Sequence, residues 1–275
     1  MRLISLPLGL MTAIALTVST ATVAGAAPGA GTSAPFAAAT VAFTDDFHTL
    51  DVGPGHTWGW QTGAYQDCVD NQHDFKLDHL SESALSAAGG HLTITASPRP
   101  DGNWDTGLLT TGDSCDTGGD GTEIRTGDLI MAHVRLPDAD SGAWPALWSW
   151  RDGQNEVDVF EWQADHPGTL EFVNQVHSGT GRYTNAAVSA DGWLYVGARL
   201  GADNTTWYVG PSLDHLAVAY ADHSGVGPDF AAYPVLSLSV NNGVYHPAPT
   251  TSKPISFSVD SLTVYRPAPP GLPDS

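Results

Sequence analysis

Basic residues are scarce in this chain, whose 275 residues include 10 Lys and Arg against 30 Asp and Glu, for a formal net charge of −20. So few cations cannot neutralise many phosphates, which excludes nucleic acids and anionic membrane surfaces as partners. Long amphipathic helices are also missing, because no helical periodicity is sustained along the chain. The sequence has no G-x-S-x-G elbow, phosphate-binding loop or H-E-x-x-H motif. Serine hydrolases of that type, nucleotide hydrolases and zincin proteases are therefore excluded.

The first 26 residues have the pattern of a signal peptide. Met1-Arg2 precedes an apolar stretch, Leu3 to Val23, which ends at the small-residue sequence Ala24-Gly25-Ala26. A transmembrane anchor is the alternative, but polar interruptions and the lack of a basic stop signal disfavour it. Residues 27–40 are rich in Ala, Gly and Pro and indicate a flexible spacer. We therefore expect a secreted, extracellular protein with no membrane attachment after cleavage.

Cys68 and Cys115 are the only two cysteines. In an exported protein, two cysteines form a disulfide more often than a metal site, which would need further ligands at close spacing. We predict a Cys68–Cys115 disulfide; two buried free thiols are the alternative.

Short segments typical of β-strands, separated by Gly, Asn and Asp turns, follow one another along the chain. They predict a β-sandwich or barrel, and two stacked sheets suit this length. We expect one domain over residues 41–267 and a Pro-rich tail over residues 268–275. The candidate strands are Val41–Phe43, His91–Ala96, Leu129–Leu136, Glu156–Phe160, Leu170–His177, Trp207–Val209, Val235–Val240 and Ser256–Tyr265.

The most informative stretch is Asn155–Trp162, which reads Asn-Glu-Val-Asp-Val-Phe-Glu-Trp. On a strand, Glu156 and Asp158 share one face. Strict alternation would put Glu161 on the opposite face, and one β-bulge after Asp158 brings it back. Three carboxyl groups on one face repel each other when ionised, so we expect at least one raised pKa.

A nucleophilic carboxylate and a proton-donating carboxyl close together are what a retaining glycosidase requires. A solvated acidic edge is the plain alternative. A calcium site is less suitable, because it needs oxygens arranged around a point.

Tryptophans stand directly upstream of this acidic strip, in Ala143-Trp144-Pro145-Ala146-Leu147-Trp148-Ser149-Trp150. Their aromatic faces suit stacking against pyranose rings, although at least one is expected to fill the core. A regular strand would place Trp144, Trp148 and Trp150 on one face, but a proline such as Pro145 argues against a regular strand.

Trp-Pro-Ala-Leu-Trp followed by Glu-Val-Asp-Val-Phe-Glu resembles glycoside hydrolase family 16 in its laminarinase-like form, E-x-D-x-x-E. Further segments in the family's order extend the likeness over nearly the whole mature chain, although the central block is the specific part. They are Thr44–Phe47, Gly89–Ala96, Thr122–Thr126, His133–Pro137, Val176–His177, Thr206–Val209 and Val259–Tyr265.

This resemblance implies an all-β jelly-roll sandwich of two antiparallel sheets with a concave substrate cleft. It implies Glu156 as nucleophile, Glu161 as acid/base and Asp158 as the group that tunes the nucleophile. It also implies a structural calcium at Asp260, with no cofactor needed for catalysis. Substrate-binding residues implied in the same way are Trp144, Trp148, Trp162, His177 and Arg125.

We therefore expect a monomeric, retaining endo-glycoside hydrolase that cleaves a β-linked polysaccharide by double displacement. β-1,3- or mixed-linkage β-glucan comes first, because so few basic residues offer little to bind sulfate or uronate groups. Departures from the family pattern at Trp193–Tyr195, Ser237 and Asn241–Asn242 leave the polysaccharide open. A non-catalytic carbohydrate-binding or cell-wall protein and a transglycosylase are the alternatives.

Overall fold

The structure, a computed structural model, describes Phe36 and residues 39–268, apart from the side chain of His73. Sixteen β-strands and three short 3₁₀ helices make up this part of the chain. The predicted signal peptide, residues 1–26, and almost all of the predicted spacer and tail lie outside the described residues. Between residues 39 and 268, no helix has the length and apolar character needed to span a membrane.

The first strand begins two residues earlier than the predicted domain. Ala39 and Thr40, which belong to the predicted spacer, pair with Pro267 and Arg266. The 3₁₀ helices are Gln72–Asp74, Glu82–Ala84 and Leu213–His215. The strands are β1 (Ala39–Asp45), β2 (Asp78–Leu80), β3 (Leu85–Ala88), β4 (His91–Pro98), β5 (Trp104–Thr110), β6 (Ile124–Arg125), β7 (Leu129–Arg135), β8 (Ala143–Trp150), β9 (Val157–Trp162), β10 (Thr169–Asn174), β11 (Gly179–Thr184), β12 (Trp193–Leu200), β13 (Thr205–Gly210), β14 (Ala217–Asp222), β15 (Ala231–Val240) and β16 (Ile255–Pro267).

The strands form two antiparallel layers that are joined at one edge. The first layer has the order β11-β10-β9-β8-β15-β5, and the second has the order β4-β16-β7-β12-β13-β14. A short ladder between β4 and β5 joins them, and β11 contacts β14 at the far ends. The sheet therefore curves into a nearly closed barrel. The predicted all-β sandwich is confirmed, with one parallel pair, β2 with β5, as an addition.

The core lies between the two layers and follows from the period-two alternation of the strands. Leu92, Ile94 and Ala96 of β4 are buried, while the residues between them are partly exposed. In β10, Leu170 and Phe172 point the same way into this core. Because successive side chains alternate between the faces of a strand, each strand offers its other face to solvent or to the cleft.

A second, smaller apolar cluster lies on the concave side of the first layer. Tyr65, from the loop before β2, and Leu80, the last residue of β2, pack there against Trp148 of β8 and Val235 of β15. This cluster explains why β8 is buried on both faces over nearly its whole length. It fixes the loop before β2 against the sheet and so builds one wall of a cleft.

The predicted disulfide is confirmed, since Cys68 and Cys115 are bonded across a separation of 47 residues. In the chain-entropy account, closing a loop of this length stabilises the fold by about 4 kcal/mol. The bond ties the loop that carries Tyr65 to the loop after β5. It therefore supports the same wall of the cleft.

Candidate active site

The predicted bulge is present in β9. Asp158 pairs with Trp148 of β8, but the next pair is Phe160 with Leu147, so Val159 is the extra residue. The register with β10 shifts at the same place. Val159 and Phe160 both enter the core, where their side chains are fully buried. The bulge therefore returns Glu161 to the face that carries Asp158, as the sequence predicted.

Glu156 lies just before β9 and is held by local hydrogen bonds. Asn155 adopts a left-handed conformation with φ of 61°. The Ser149 hydroxyl donates to the Asn155 carbonyl oxygen at 2.8 Å and accepts from the Val157 amide at 3.0 Å. One side chain of β8 thus fixes the backbone on both sides of Glu156.

The three carboxyl groups open into one cleft on the concave side of the first layer. Trp144, Trp148 and Trp150 line the same cleft, so β8 stays regular through Pro145 and the one-face prediction for these three residues is confirmed. Pro145 is tolerated in the ladder opposite Leu238. The other lining residues are Ala64, Tyr65, Asn71, Asp74, Phe75, Lys76, Ala146, Gln175, Ser237, Ser239 and Tyr245.

Glu161 has the environment of a carboxylic acid that keeps its proton near neutral pH. Burial is the main cause that raises its pKa to about 7, and the charges of Glu171 and Glu156 add to the increase. The positive charge of Lys76 and a hydrogen bond from Trp144 oppose it. In that bond, Trp144 Nε1 donates to Glu161 Oε1 at 2.8 Å. Glu161 is thus both protonated at moderate pH and held in one orientation.

Asp158 lies deepest of the three acids and is only 5% exposed. Burial raises its pKa well above the ordinary value, and the charges of Glu161 and Glu156 raise it further. The pKa of Glu156 is also raised, first by burial and then by Asp74, while Lys76 opposes the increase. The expected raised pKa is therefore found at all three positions, with burial as the main cause at each. Repulsion between the acids adds to it at Asp158 and Glu161 but not at Glu156.

Several cleft residues were missed in the sequence analysis. Lys76 and Tyr65 come from the segment before β2, which carries no motif. Asp78 of β2 does not line the cleft and is fully buried beside Tyr65. The Tyr65 hydroxyl donates to Asp78 Oδ2 at 2.9 Å, and Asp78 Oδ1 accepts from the Val240 amide at 2.9 Å. The only available signal was Lys76 itself, one of two lysines in an acidic chain.

Trp162 is not a cleft aromatic, and that prediction was wrong. It follows Glu161 directly, so the alternation of the strand turns it to the opposite face. Its side chain is fully buried in the core, and its Nε1 donates to the Pro167 carbonyl oxygen at 3.1 Å.

His177 and Arg125 also lie outside the lining of the cleft, contrary to expectation. The predicted strand Leu170–His177 ends at Asn174, and His177 falls in the following turn with its Nδ1 at 2.8 Å from the Gly225 carbonyl oxygen. Arg125 belongs to β6, which pairs with the first residues of β15, whereas the cleft uses the later Ser237 and Ser239. Its guanidinium pairs with Glu123 instead.

The residues around Asp260 do not fit the calcium ion that the resemblance implied. The Asp260 carboxylate oxygen Oδ2 lies 3.0 Å from His133 Nδ1, and the His133 ring stacks on Tyr195. Calcium takes six to eight oxygen ligands, and a ring nitrogen and an aromatic face supply none.

A cluster of two histidines and one aspartate lies at the end of the cleft beside Tyr245. His246 Nδ1 is 2.9 Å from Asp165 Oδ1, and His166 Nδ1 is 3.2 Å from Asp165 Oδ2. Among the described residues, this is the one group of three side chains whose ligand atoms lie close enough to hold a metal ion. Each histidine has the carboxylate as its partner, which ties the loop after β9 to the loop after β15.

Comparisons with known proteins agree on the fold. No family model and no curated protein matches this chain. An endo-β-1,3-glucanase from Pyrococcus furiosus has a similar structure, with a TM-score of 0.65 and 18% identity over 83% of this chain and 94% of that one. The laminarinase catalytic domain of Thermotoga maritima matches with a TM-score of 0.65 and 18% identity over 83% of this chain and 98% of that domain.

A non-specific endo-β-1,3(4)-glucanase of family GH16 matches equally, with a TM-score of 0.65 and 18% identity over 84% of this chain and 92% of that protein. The chain thus has the fold of the family 16 laminarinases, and the resemblance noted in the sequence is confirmed at the level of the fold.

Proposed function

We propose that this protein is a retaining endo-glycoside hydrolase, with Glu156 as nucleophile, Glu161 as acid/base and Asp158 as the group that tunes Glu156. One observation carries the proposal: a bulged strand presents three carboxyl groups to a cleft lined with tryptophan, and the pKa of Glu161 is about 7. The shared fold with endo-β-1,3-glucanases supports it.

In the first step, the Glu161 carboxyl protonates the glycosidic oxygen while the Glu156 carboxylate attacks the anomeric carbon. The bond from the anomeric carbon to the leaving oxygen breaks, and a glycosyl-enzyme ester forms at Glu156. Glu161, now ionised, takes a proton from water, which attacks the anomeric carbon and releases Glu156. The configuration at the anomeric carbon is retained because it inverts twice.

This mechanism requires that Glu156 is ionised while Glu161 is still protonated. Asp158 is the most buried and has the strongly raised pKa, so it stays protonated longest. A protonated Asp158 between the two glutamates donates a hydrogen bond rather than adding a negative charge. That supports an ionised Glu156 beside a protonated Glu161.

A neutral β-glucan, β-1,3-linked or of mixed linkage, is the substrate that the cleft suits best. Trp144, Trp148 and Trp150 offer aromatic faces to sugar rings, and the serine hydroxyls of β15 offer hydrogen bonds. Among the lining residues, Lys76 is the one basic residue, and its ammonium group is already paired with the Asp74 carboxylate. Sulfated or uronate-rich chains would lack cationic partners.

Secretion belongs to the same proposal. The Cys68–Cys115 disulfide fits an oxidising compartment outside the cytosol. Together with the predicted signal peptide, it supports an extracellular, monomeric enzyme that acts on polysaccharide.

The test is a panel of purified polysaccharides incubated with the wild type and with Glu156→Gln. We expect the wild type to release reducing ends from β-1,3- or mixed-linkage β-glucan and the variant to release none. Glu82→Gln, at an exposed position that does not line the cleft, is the matched control and should keep full activity.

Two other results would replace the proposal. Binding without cleavage by both proteins would identify a non-catalytic carbohydrate-binding protein. Longer products in the presence of oligosaccharide acceptors, without net reducing ends, would identify a transglycosylase.

A further inference from the structure

Lys76 is a cation in a cleft built around acids. Among the described residues that line the cleft it is the single basic one, next to Glu156, Asp158 and Glu161. Its side chain is 14% exposed, so the ammonium is largely withdrawn from water. Withdrawing a charge from water is costly, and such a group persists where it has fixed partners.

Two partners fix the ammonium. Lys76 Nζ lies 2.9 Å from Asp74 Oδ2 and 4.4 Å from the centre of the Trp144 ring. The second contact has the geometry of a cation–π interaction, which is strongest with tryptophan and gains strength when water is excluded.

The backbone of this segment is attached to two neighbouring strands of the sheet, β15 and β5. The Leu77 amide donates to the Val240 carbonyl oxygen at 2.8 Å, and the Leu77 carbonyl oxygen accepts from the Trp104 amide at 2.8 Å. Lys76 itself forms an isolated bridge with Asn241. The ammonium is therefore positioned by strands β5 and β15 and is not on a free loop.

The same indole that meets Lys76 also meets Glu161, because Trp144 Nε1 donates to Glu161 Oε1 at 2.8 Å. A cation on the face of an indole polarises it and makes its N–H a stronger donor, since hydrogen-bonded groups polarise one another. Asp74, Lys76, Trp144 and Glu161 thus form a continuous chain of contacts.

We propose that Lys76 is a positioning residue for the acid/base Glu161: its ammonium fixes the indole that binds this carboxyl, and its charge limits how many cleft carboxyls are protonated together. The inference rests on the proposed hydrolase function.

The charges that face Glu161 come from several elements. Glu156 and Asp158 share its strand, and Glu171 lies opposite it on β10, where Arg182 of β11 neutralises it at 2.7 Å. From the other wall come Lys76 with Asp74, and the buried pair of Asp78 and Tyr65. The positive charge of Lys76 lowers the pKa values of Glu156, Asp158, Glu161 and Asp78 against the effect of burial.

The first test is the pH profile of kcat/KM on β-glucan for Lys76→Met. Removing the charge raises the pKa of the nucleophile and of the acid together, so both limbs should move to higher pH by roughly 0.5–1 unit. Lys76→Arg keeps the charge and should restore the wild-type profile in large part. Lys253→Met changes the other lysine of the chain, which is exposed and outside the cleft, and should leave the profile unchanged.

A second variant should shift the pH profile in the opposite direction, and the substituted side chain is not buried. Asp74 is more than half exposed and raises the pKa of Glu156. Asp74→Asn should therefore move the acidic limb to lower pH while the protein stays folded. Shifts in the same direction for Asp74→Asn and Lys76→Met would overturn the electrostatic role.

A measurement that does not depend on catalytic activity separates this inference from the proposed function. The chain has only five glutamates, so ¹³C-labelled glutamate carboxyls are few enough to follow one by one in an NMR titration, with Glu161→Gln to assign the signal. We expect the midpoint of Glu161 to rise in Lys76→Met. An unchanged midpoint with a merely lower kcat overturns the inference, whereas a raised midpoint in a protein that cleaves no polysaccharide overturns only the hydrolase function.

Discussion

Two sheet surfaces of this molecule carry similar side chains in different surroundings. On the concave face, Trp144 and Glu161 lie side by side on β8 and β9. On the outer face of the second layer, Trp193 and Asp260 flank His133 on β12, β16 and β7. Both surfaces combine aromatic rings with carboxylates, so composition alone does not distinguish them.

Burial distinguishes them. Loops before β2 and after β15 cover the concave face, and the pKa of Glu161 rises to about 7 as a result. Nothing comparable covers the outer face within the described residues, where Trp193 is 38% exposed and the Asp260 side chain 46% exposed. The carboxyl whose pKa lies near neutral pH is therefore on the covered surface, since desolvation is what keeps a carboxyl protonated.

Removing the acid from the covered surface should have the largest effect. Glu161→Gln loses the proton donor and should lower kcat on β-glucan by roughly 10²–10⁴-fold. The matching change on the open surface, Asp260→Asn, should leave kcat unchanged. Reducing-end assays on both variants measure the contrast, and equal losses of activity would contradict the difference between the two surfaces.

Glu161→Gln should also stabilise the fold at high pH. The pKa of Glu161 in the folded protein is about 7, above its ordinary value of 4.5. Because the pKa of Glu161 is higher in the folded than in the unfolded protein, its protonation favours folding. This contribution to the free energy of unfolding is complete below about pH 4.5 and is lost as the pH rises through about 7. Glu161→Gln stays neutral, so it should raise the free energy of unfolding near pH 8 by roughly 2–3 kcal/mol and change it little near pH 4.

Urea unfolding of wild type and variant at the two pH values measures this effect, with the exposed Glu82→Gln as control. A gain of the same size at both pH values would mean that the effect arises from packing and not from ionisation.

A smaller effect is expected when only the indole N–H is removed. Trp144→Phe keeps an aromatic ring over the cleft but leaves Glu161 Oε1 without its donor. Losing this bond should lower kcat/KM by about tenfold, equivalent to about 1.4 kcal/mol. Since the bond lowers the pKa of Glu161, the basic limb of the pH profile should also move upward. Trp193→Phe is the matched change on the open surface, and an equal loss there would contradict the assignment.

The smallest effect concerns calcium. Asp260 is bound to His133 in a partly exposed pair, and such pairs contribute roughly 0.2–1 kcal/mol. Asp260→Asn should therefore lower stability only slightly, and a chelator should leave the melting temperature of wild type and variant unchanged. A calcium-dependent rise in Tm that Asp260→Asn abolishes would restore the calcium site that the resemblance implied.

Local features of the site were predictable because they depend on neighbours in the chain. The acids at positions 156, 158 and 161 required a bulge to share a face, and the bulge is at Val159. The alternation also implied that Trp144, Trp148 and Trp150 share a face. The same rule places Trp162 in the core, since it is adjacent to Glu161, and the structure agrees with this rule and not with the resemblance.

Contacts between distant segments were not predictable. The stretch around His177 was expected to continue β10, but the strand ends at Asn174 because the chain turns there into β11. Arg125 was expected at the cleft from the resemblance, but β6 pairs it with the first residues of β15, away from Ser237 and Ser239 in the cleft. Both errors come from where strands end and pair, which a single sequence specifies weakly.

By itself, the sequence determined the all-β class, the disulfide pair and the strip of acids beside a tryptophan-rich strand. These depend on period-two alternation, on cysteine count and on residues a few positions apart. Only the tertiary structure decided which carboxyls are buried and which cation faces them. Lys76 meets Trp144 because β5 and β15 hold its segment over β8, and the pKa of Glu161 depends on that enclosure. Desolvation and charge pairing are properties of the assembled cleft, and no local pattern contains them.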